Sequence, residues 1–275
     1  MRAIVVALVV ILAMGMGCGK NAEFYSKRAN EYLKHGDLES AIAEFEKAVE
    51  AEPDNFEMQN SLGAALSMRG DFARAVGHFR RAVVLKDDFL EGHYNLGRAL
   101  TETGDAEGAI GAFRRVVQLD STYALAYFSA GGLYIKLGMP DKAIEAYRLA
   151  LHYDPSLKQV YLNLAATYVG IKDYDSALEV LTAARALSPK NSEVVAMAGR
   201  VAILKKDLAQ AVSLLKEANN LDPQNSYARN DLATATMLSG NKAEAIKLWE
   251  QVLAMNPDAQ LASAVRQNLE KARSQ

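Results

Sequence analysis

The sequence predicts an all-α fold of tandem helical hairpins, and two observations carry that prediction. The first is an alanine that recurs every 34 residues without insertion or deletion, at Ala41, Ala75, Ala109, Ala143, Ala177, Ala211 and Ala245. The second is a bulky residue four positions after each alanine, at Phe45, Phe79, Phe113, Tyr147, Leu181, Leu215 and Trp249. A spacing of four places both residues on one face of a helix. A unit of this size cannot bury its apolar face alone, so stacked copies have to supply the core.

Each unit also contains a first helix that is predicted to approach the second one closely. Small residues stand at matched positions of this helix, at Ala29, Gly63, Gly97, Gly131, Ala165, Gly199 and Ala233. Glycine marks the predicted turn between the two helices in five units, at Gly36, Gly70, Gly104, Gly138 and Gly240. Proline closes five units, at Pro53, Pro155, Pro189, Pro223 and Pro257, because proline cannot continue a helix.

This pattern resembles the tetratricopeptide repeat, a family whose helix-turn-helix units stack into a right-handed α-solenoid. The resemblance implies seven units over residues 22–259, with the bounds 22–55, 56–89, 90–123, 124–157, 158–191, 192–225 and 226–259. Residues 260–275 are predicted to form a C-terminal capping helix, because Leu261, Val265 and Leu269 recur on one side of it.

The first 17 residues have the layout of a secretory signal peptide. Arg2 precedes an uncharged apolar run from residue 3 to 14, which is too short to span a membrane. The run leads to Gly17 and then Cys18, the only cysteine of the chain. This ending resembles the bacterial lipobox, in which the cysteine carries the lipid, although Gly15 stands where that motif usually has leucine. We therefore expect a lipidated Cys18 and a short linker over residues 18–21. The alternatives are an ordinary cleaved signal with a free thiol and a buried first helix.

Composition and motifs argue against several classes of function. The formal net charge is −2, and no basic run suggests nucleic-acid binding. None of the four histidines has a histidine or cysteine partner at metal-ligand spacing. No nucleophile elbow, metalloprotease motif or phosphate loop is present. We therefore predict a protein that is not an enzyme and has no cofactor, no metal, no nucleic-acid partner and no small-molecule substrate.

The family resemblance implies that the first helices line a partner-binding groove. Its predicted members occupy the fifth, sixth and ninth positions of successive units and are Asn60, Tyr94, Asn95, Arg98, Phe128, Leu162 and Asn163. A row of exposed apolar side chains is unfavourable unless it binds something, so we expect a groove for an extended or helical peptide segment. The alternative is that these side chains pack locally between the first helices. Use of the opposite, convex face stays open.

Together these features predict a lipid-anchored interaction scaffold of the bacterial cell envelope. Gly19 differs from the aspartate that retains some lipoproteins in the inner membrane, so the resemblance implies the outer membrane, facing the periplasm. The size and layout resemble pilotin-type lipoproteins of type IV pilus biogenesis, which implies a secretin as the partner. A scaffold in polysaccharide export or envelope maintenance is the alternative, with an export component such as a synthase or porin as the partner.

Overall fold

The computed structural model describes residues 18–274, which form helices joined by short turns. There are fifteen helices and no strands within that range. The helices are α1 (Cys18–Lys34), α2 (Leu38–Ala51), α3 (Phe56–Arg69), α4 (Phe72–Leu85), α5 (Leu90–Thr103), α6 (Ala106–Leu119), α7 (Ala124–Lys136), α8 (Pro140–Tyr153), α9 (Lys158–Gly170), α10 (Tyr174–Leu187), α11 (Ser192–Leu204), α12 (Leu208–Leu221), α13 (Ser226–Leu238), α14 (Lys242–Ala254) and α15 (Ala259–Ser274). Seven pairs followed by one further helix confirm the predicted fold class.

The chain divides into two compact units, the first ending at Leu133 and the second beginning at Tyr134. The predicted signal peptide, residues 1–17, lies outside the described residues. Residues 18–21 differ from the predicted short linker, because they form the first turn of α1. No proline interrupts this turn, and the buried Ala22 that follows it belongs to the same helix. No described helix combines the length and the apolar character needed to cross a membrane.

The second helix of most pairs begins after a side chain that caps it. The capping oxygen accepts a hydrogen bond from the backbone N–H three residues later, at Asp37, Asp71, Asp105, Asp173, Asp207 and Asn241. Such a cap satisfies one of the donors that a helix N-terminus leaves unpaired. Helix α8 differs, because Pro140 occupies its first turn and Met139 makes no side-chain cap.

The turn between the two helices of a pair contains one residue with positive φ. Glycine takes this conformation at the five positions that the sequence marks as turns. The corresponding residues of the fifth and sixth units are Lys172 and Lys206, with φ of 64° and 65°. A side chain with a Cβ is strained in the left-handed region, by about 1–2 kcal/mol per residue. The fifth and sixth units therefore carry a local strain that the glycine-containing units avoid.

In at least three hairpins, a glycine of the first helix lies directly against a bulky residue of the second. A Cβ atom on Gly97 would lie 2.7 Å from Cε1 of Phe113. The contact between Gly199 and Leu215 is closer still, because a Cβ atom on Gly199 would lie 2.5 Å from Cγ of Leu215. The bulky side chain therefore fills the space above a residue of its own unit. The recurring alanines beside it are completely buried.

Replacing Lys206 by glycine should stabilise the second compact unit, because the backbone strain disappears. We expect a gain of about 0.5–1 kcal/mol, since the greater freedom of glycine in the unfolded chain offsets part of the relief. The midpoint of urea unfolding measures it. The matched change is Gly70→Lys, which should be destabilising, and a Cβ at Gly70 meets nothing within 4 Å. An unchanged or lower midpoint for Lys206→Gly contradicts the strain argument.

Candidate functional site

The first compact unit contains a cavity of about 310 Å³ between α3, α4 and α5. Its apolar wall consists of Met68, Phe72 and Phe79, and the polar groups on α5 are Asn95, Arg98 and Glu102. Ala64 and Ala99 also line it, and their short side chains leave the space open. We call this the α3–α5 cavity. Two residues of the predicted groove, Asn95 and Arg98, therefore lie at the same cavity.

A chain of amide hydrogen bonds connects α3 to α5 beside this cavity. Asn95 Nδ2 donates to Asn60 Oδ1 at 3.1 Å, and Asn60 Nδ2 donates to Glu91 Oε1 at 3.4 Å. Asn60 is only 7% exposed, and both ends of its amide are engaged inside the protein. Asn60 is therefore a packing residue rather than a contact surface. Within residues 18–274, Asn95 Oδ1 accepts no hydrogen bond, which leaves it available to a bound segment.

Arg98 is exposed, and within the described part of the chain it forms no ion pair or hydrogen bond. Arg200 occupies the same position of its own unit, and there Nη2 lies 2.8 Å from Asp231 Oδ2. The residue that corresponds to Asp231 in the unit after Arg98 is Ser129, which carries no charge. Arg98 therefore keeps a guanidinium group with unused donors at the cavity.

The Arg200–Asp231 pair also shows how such a carboxylate behaves when it is buried. Burial raises the pKa of Asp231 above its usual value, although the nearby Arg200 acts in the opposite direction. Desolvation therefore outweighs the attraction of one arginine at this position. The first compact unit avoids this desolvation penalty, because the matching position 129 holds no acidic residue.

Tyr94 belongs to an aromatic cluster of the first compact unit. Its ring centroid lies 5.8 Å from that of Phe113 and 5.2 Å from that of Tyr123. Burial raises the pKa of Tyr123, as expected for a phenol among other rings. Tyr94 and Phe128 are both half-buried. Local packing, the alternative considered from the sequence, describes Tyr94 better than an exposed position does.

In the second compact unit, the predicted groove residues Leu162 and Asn163 take part in the packing of α8 and α9. Leu162 is 7% exposed, so the expectation of an exposed apolar side chain at this position is wrong. Asn163 Oδ1 accepts a hydrogen bond from Gln159 Nε2 at 3.1 Å. Burial raises the pKa of Tyr147, and a hydrogen bond with Asn163 acts against that rise. These two residues therefore offer little to a partner.

Sequence reasoning missed most of the apolar wall of the α3–α5 cavity. Met68 and Phe72 lie where α3 ends and α4 begins, outside the family positions that were considered. Glu102 stands four residues after Arg98, so helical spacing places it on the same face. That spacing was the available signal. Residues 18–274 contain no group of three or more acidic, histidine or cysteine side chains that could hold a metal.

Family profiles described as tetratricopeptide repeat match the chain over residues 26–88, 69–124, 94–158, 134–201 and 202–269. The chain belongs to the tetratricopeptide repeat family. Members of this family are generally scaffolds that bind other proteins and have no enzymatic activity. None of the curated protein sequences matches the chain.

Solved structures of several repeat proteins resemble this chain. MamA is 28% identical, covers 64% of this chain and 96% of its own, and gives a TM-score of 0.60. YrrB, described as a TPR protein with an unusual peptide-binding site, is 21% identical over 69% of this chain and 97% of its own, with a TM-score of 0.57. PilF of Pseudomonas aeruginosa is 20% identical over 75% of this chain and 94% of its own, with a TM-score of 0.59. At 21% and 20% identity, the similarities to YrrB and PilF show the fold alone.

Replacing Asn60 by alanine should destabilise the first compact unit by about 1–2 kcal/mol, because the buried Asn60 amide bonds to both Asn95 and Glu91. The midpoint of urea unfolding measures this. Ser61→Ala is the matched control, since the Ser61 hydroxyl bonds only to the backbone of its own helix, at Glu57 O. Equal midpoints for the two variants contradict the structural role of Asn60.

Proposed function

We propose that this protein is a membrane-anchored interaction scaffold of the bacterial cell envelope, and that its α3–α5 cavity receives a peptide segment of a partner protein. The observation that carries the proposal is Arg98, a cation without an ion pair, which stands beside Asn95 at a cavity with an apolar wall. The repeat family supports a protein partner. YrrB, which shares the fold, is described as having a peptide-binding site.

The cavity offers apolar contacts on one side and hydrogen-bonding groups on the other. A volume of about 310 Å³ is at the lower end of ligand pockets, so it suits one or two side chains rather than a whole helix. Met68, Phe72 and Phe79 bury the apolar part of such a side chain. The amide of Asn95 can bond to peptide backbone, and Arg98 can donate to a carbonyl or carboxylate of the segment.

The membrane anchor rests on Cys18 and the apolar run before it. Cys18 is the first residue of α1. A lipid on this residue therefore holds the first hairpin at the bilayer surface, with no tether between them. The partner of a scaffold held in this way has to be membrane-proximal as well. We place it at the outer membrane, on the periplasmic side, by resemblance to lipoproteins that lack aspartate after the cysteine.

The partner that we propose is a secretin of a pilus or secretion assembly. The combination of a lipobox with tandem repeats resembles pilotin-type lipoproteins. PilF of Pseudomonas aeruginosa supports this choice only through its fold. A role in polysaccharide export is distinguished by the identity of the captured protein, because an export scaffold should recover a synthase or a porin.

Arg98→Glu should reduce the recovery of the partner from solubilised envelopes by at least about tenfold. The substitution replaces a hydrogen-bond donor by a carboxylate, which repels the carbonyl or carboxylate oxygen of the bound segment. Mass spectrometry of the captured proteins measures it. Arg114→Glu is the matched control, since Arg114 is equally exposed but lies on α6, away from the cavity lining. Ser129→Asp, which gives Arg98 the kind of neighbour that Arg200 has, should weaken capture without altering Arg98. Full recovery with Arg98→Glu contradicts the assignment of the cavity.

Cys18→Ser should release the protein from the membrane fraction, because no thiol remains to carry a lipid. Fractionation of expressing cells, followed by mass measurement of the mature N-terminus, checks this. Met16→Ser keeps the thiol and serves as the control. A Cys18→Ser variant that still sediments with the membranes overturns the anchor.

A further inference from the structure

The second compact unit contains its own cavity, of about 340 Å³, between α12, α13 and α14. Leu208 and Val212 line it from α12, Leu232 and Thr236 from α13, and Leu248 from α14. Lys216 of α12 is exposed and also borders it. We call this the α12–α14 cavity. Nothing in the proposed function uses it.

The cavity lies where most of the other units place a large side chain. The eleventh position of the seven units reads Tyr32, Leu66, Leu100, Tyr134, Tyr168, Ala202 and Thr236. Tyr168 fills its place so completely that it is only 4% exposed. Threonine is much shorter than tyrosine, and the α12–α14 cavity is open beside Thr236.

Lys216 occupies the repeat position from which Arg148 contacts an aromatic ring. The Arg148 guanidinium lies 5.7 Å from the ring centroid of Tyr168. Arg148 is the twenty-fifth residue of its unit and Tyr168 the eleventh of the next. Lys216 and Thr236 have this same relation. The positive charge of Lys216 therefore complements the negative face of a ring that the chain itself does not supply.

Thr236 adds a polar group without a partner. It is 6% exposed, and its Oγ1 makes no hydrogen bond to any described residue. Thr167 and Thr234 differ, because each hydroxyl donates to the carbonyl four residues earlier. A buried hydroxyl without a partner is unfavourable, and threonine has two accessible rotamers in a helix, so rotation about χ1 can offer the hydroxyl to a bound group.

We propose that the α12–α14 cavity is a second docking site, which takes a tyrosine side chain from a segment of a partner protein. The ring occupies the space beside Leu232 and Leu248, under the ammonium group of Lys216. Its hydroxyl pairs with the Thr236 hydroxyl. The site does not depend on Arg98 or on the α3–α5 cavity, so it stands or falls separately from the proposed function.

The first test uses p-cresol, which is the tyrosine side chain, and toluene, which lacks the hydroxyl. Titration of the full chain is followed through the methyl NMR signals of leucine, valine and threonine. We expect p-cresol to bind with a dissociation constant of about 1 mM, a reasonable value for eight heavy atoms. The shifts should be confined to the cavity, at Val212, Leu232, Thr236 and Leu248. Toluene should bind about fivefold more weakly. No shifts up to about 10 mM p-cresol overturn the proposal.

Two substitutions at Thr236 separate the ring from the hydroxyl. Thr236→Tyr supplies the missing ring, so it should weaken p-cresol binding by at least about tenfold and raise the melting temperature. Thr236→Val keeps the cavity and should remove the preference for p-cresol over toluene. Unchanged p-cresol binding by Thr236→Tyr overturns the site.

Lys216→Gln guards against a Thr236 variant that does not fold, because Lys216 is exposed. It should weaken p-cresol binding about threefold while leaving the helical content unchanged. Equal binding overturns the role of the cation. Sedimentation of the wild-type chain tests a second copy as the donor of the ring. Self-association that Thr236→Tyr abolishes would overturn the assignment to a different protein.

Discussion

The close contact between the two helices of a hairpin is the constraint on which the rest of the structure depends. Phe113 reaches its position only because Gly97 has no Cβ, which would lie 2.7 Å from the ring. Caps and turns serve this contact, since they fix where each helix begins and ends. Asp105 starts α6 through the N–H of Gly108, and Gly104 ends α5 with a left-handed residue. A shift of one residue in either helix would move the ring away from the glycine.

The sequence alone predicts this part of the fold because the signal is local and repeated. Spacings of four and 34 residues identify the hairpins, and glycine identifies most of the turns. The candidate site was harder to predict, because it depends on which side chains meet across different helices. The bond between Asn95 and Asn60 joins residues 35 positions apart, and nothing in either helix indicates that their amides pair. The burial of Leu162 likewise depends on neighbours rather than on its place in the repeat.

Repetition also explains how a site can arise without a new element of structure. Arg98 and Arg200 occupy the same position of their repeats, yet the position that holds Asp231, the partner of Arg200, is occupied by Ser129 in the repeat after Arg98. One substitution in the following unit decides whether the guanidinium group is part of the scaffold or free for a partner. Comparison among the units of a single chain therefore identifies candidate binding residues that composition and motif searches do not.

The eleventh position follows the same logic, with volume in place of charge. Each repeat contacts mainly its neighbours. The absence of a ring at Thr236 therefore affects the packing of that repeat without loosening the whole array. The second compact unit contains several such local departures, including the strained turns at Lys172 and Lys206. An array whose stability is the sum of its units can tolerate them, because the other hairpins keep their contacts. A solenoid is thus able to give up packing at one unit for binding, whereas the same vacancy in a single compact core would weaken the entire fold.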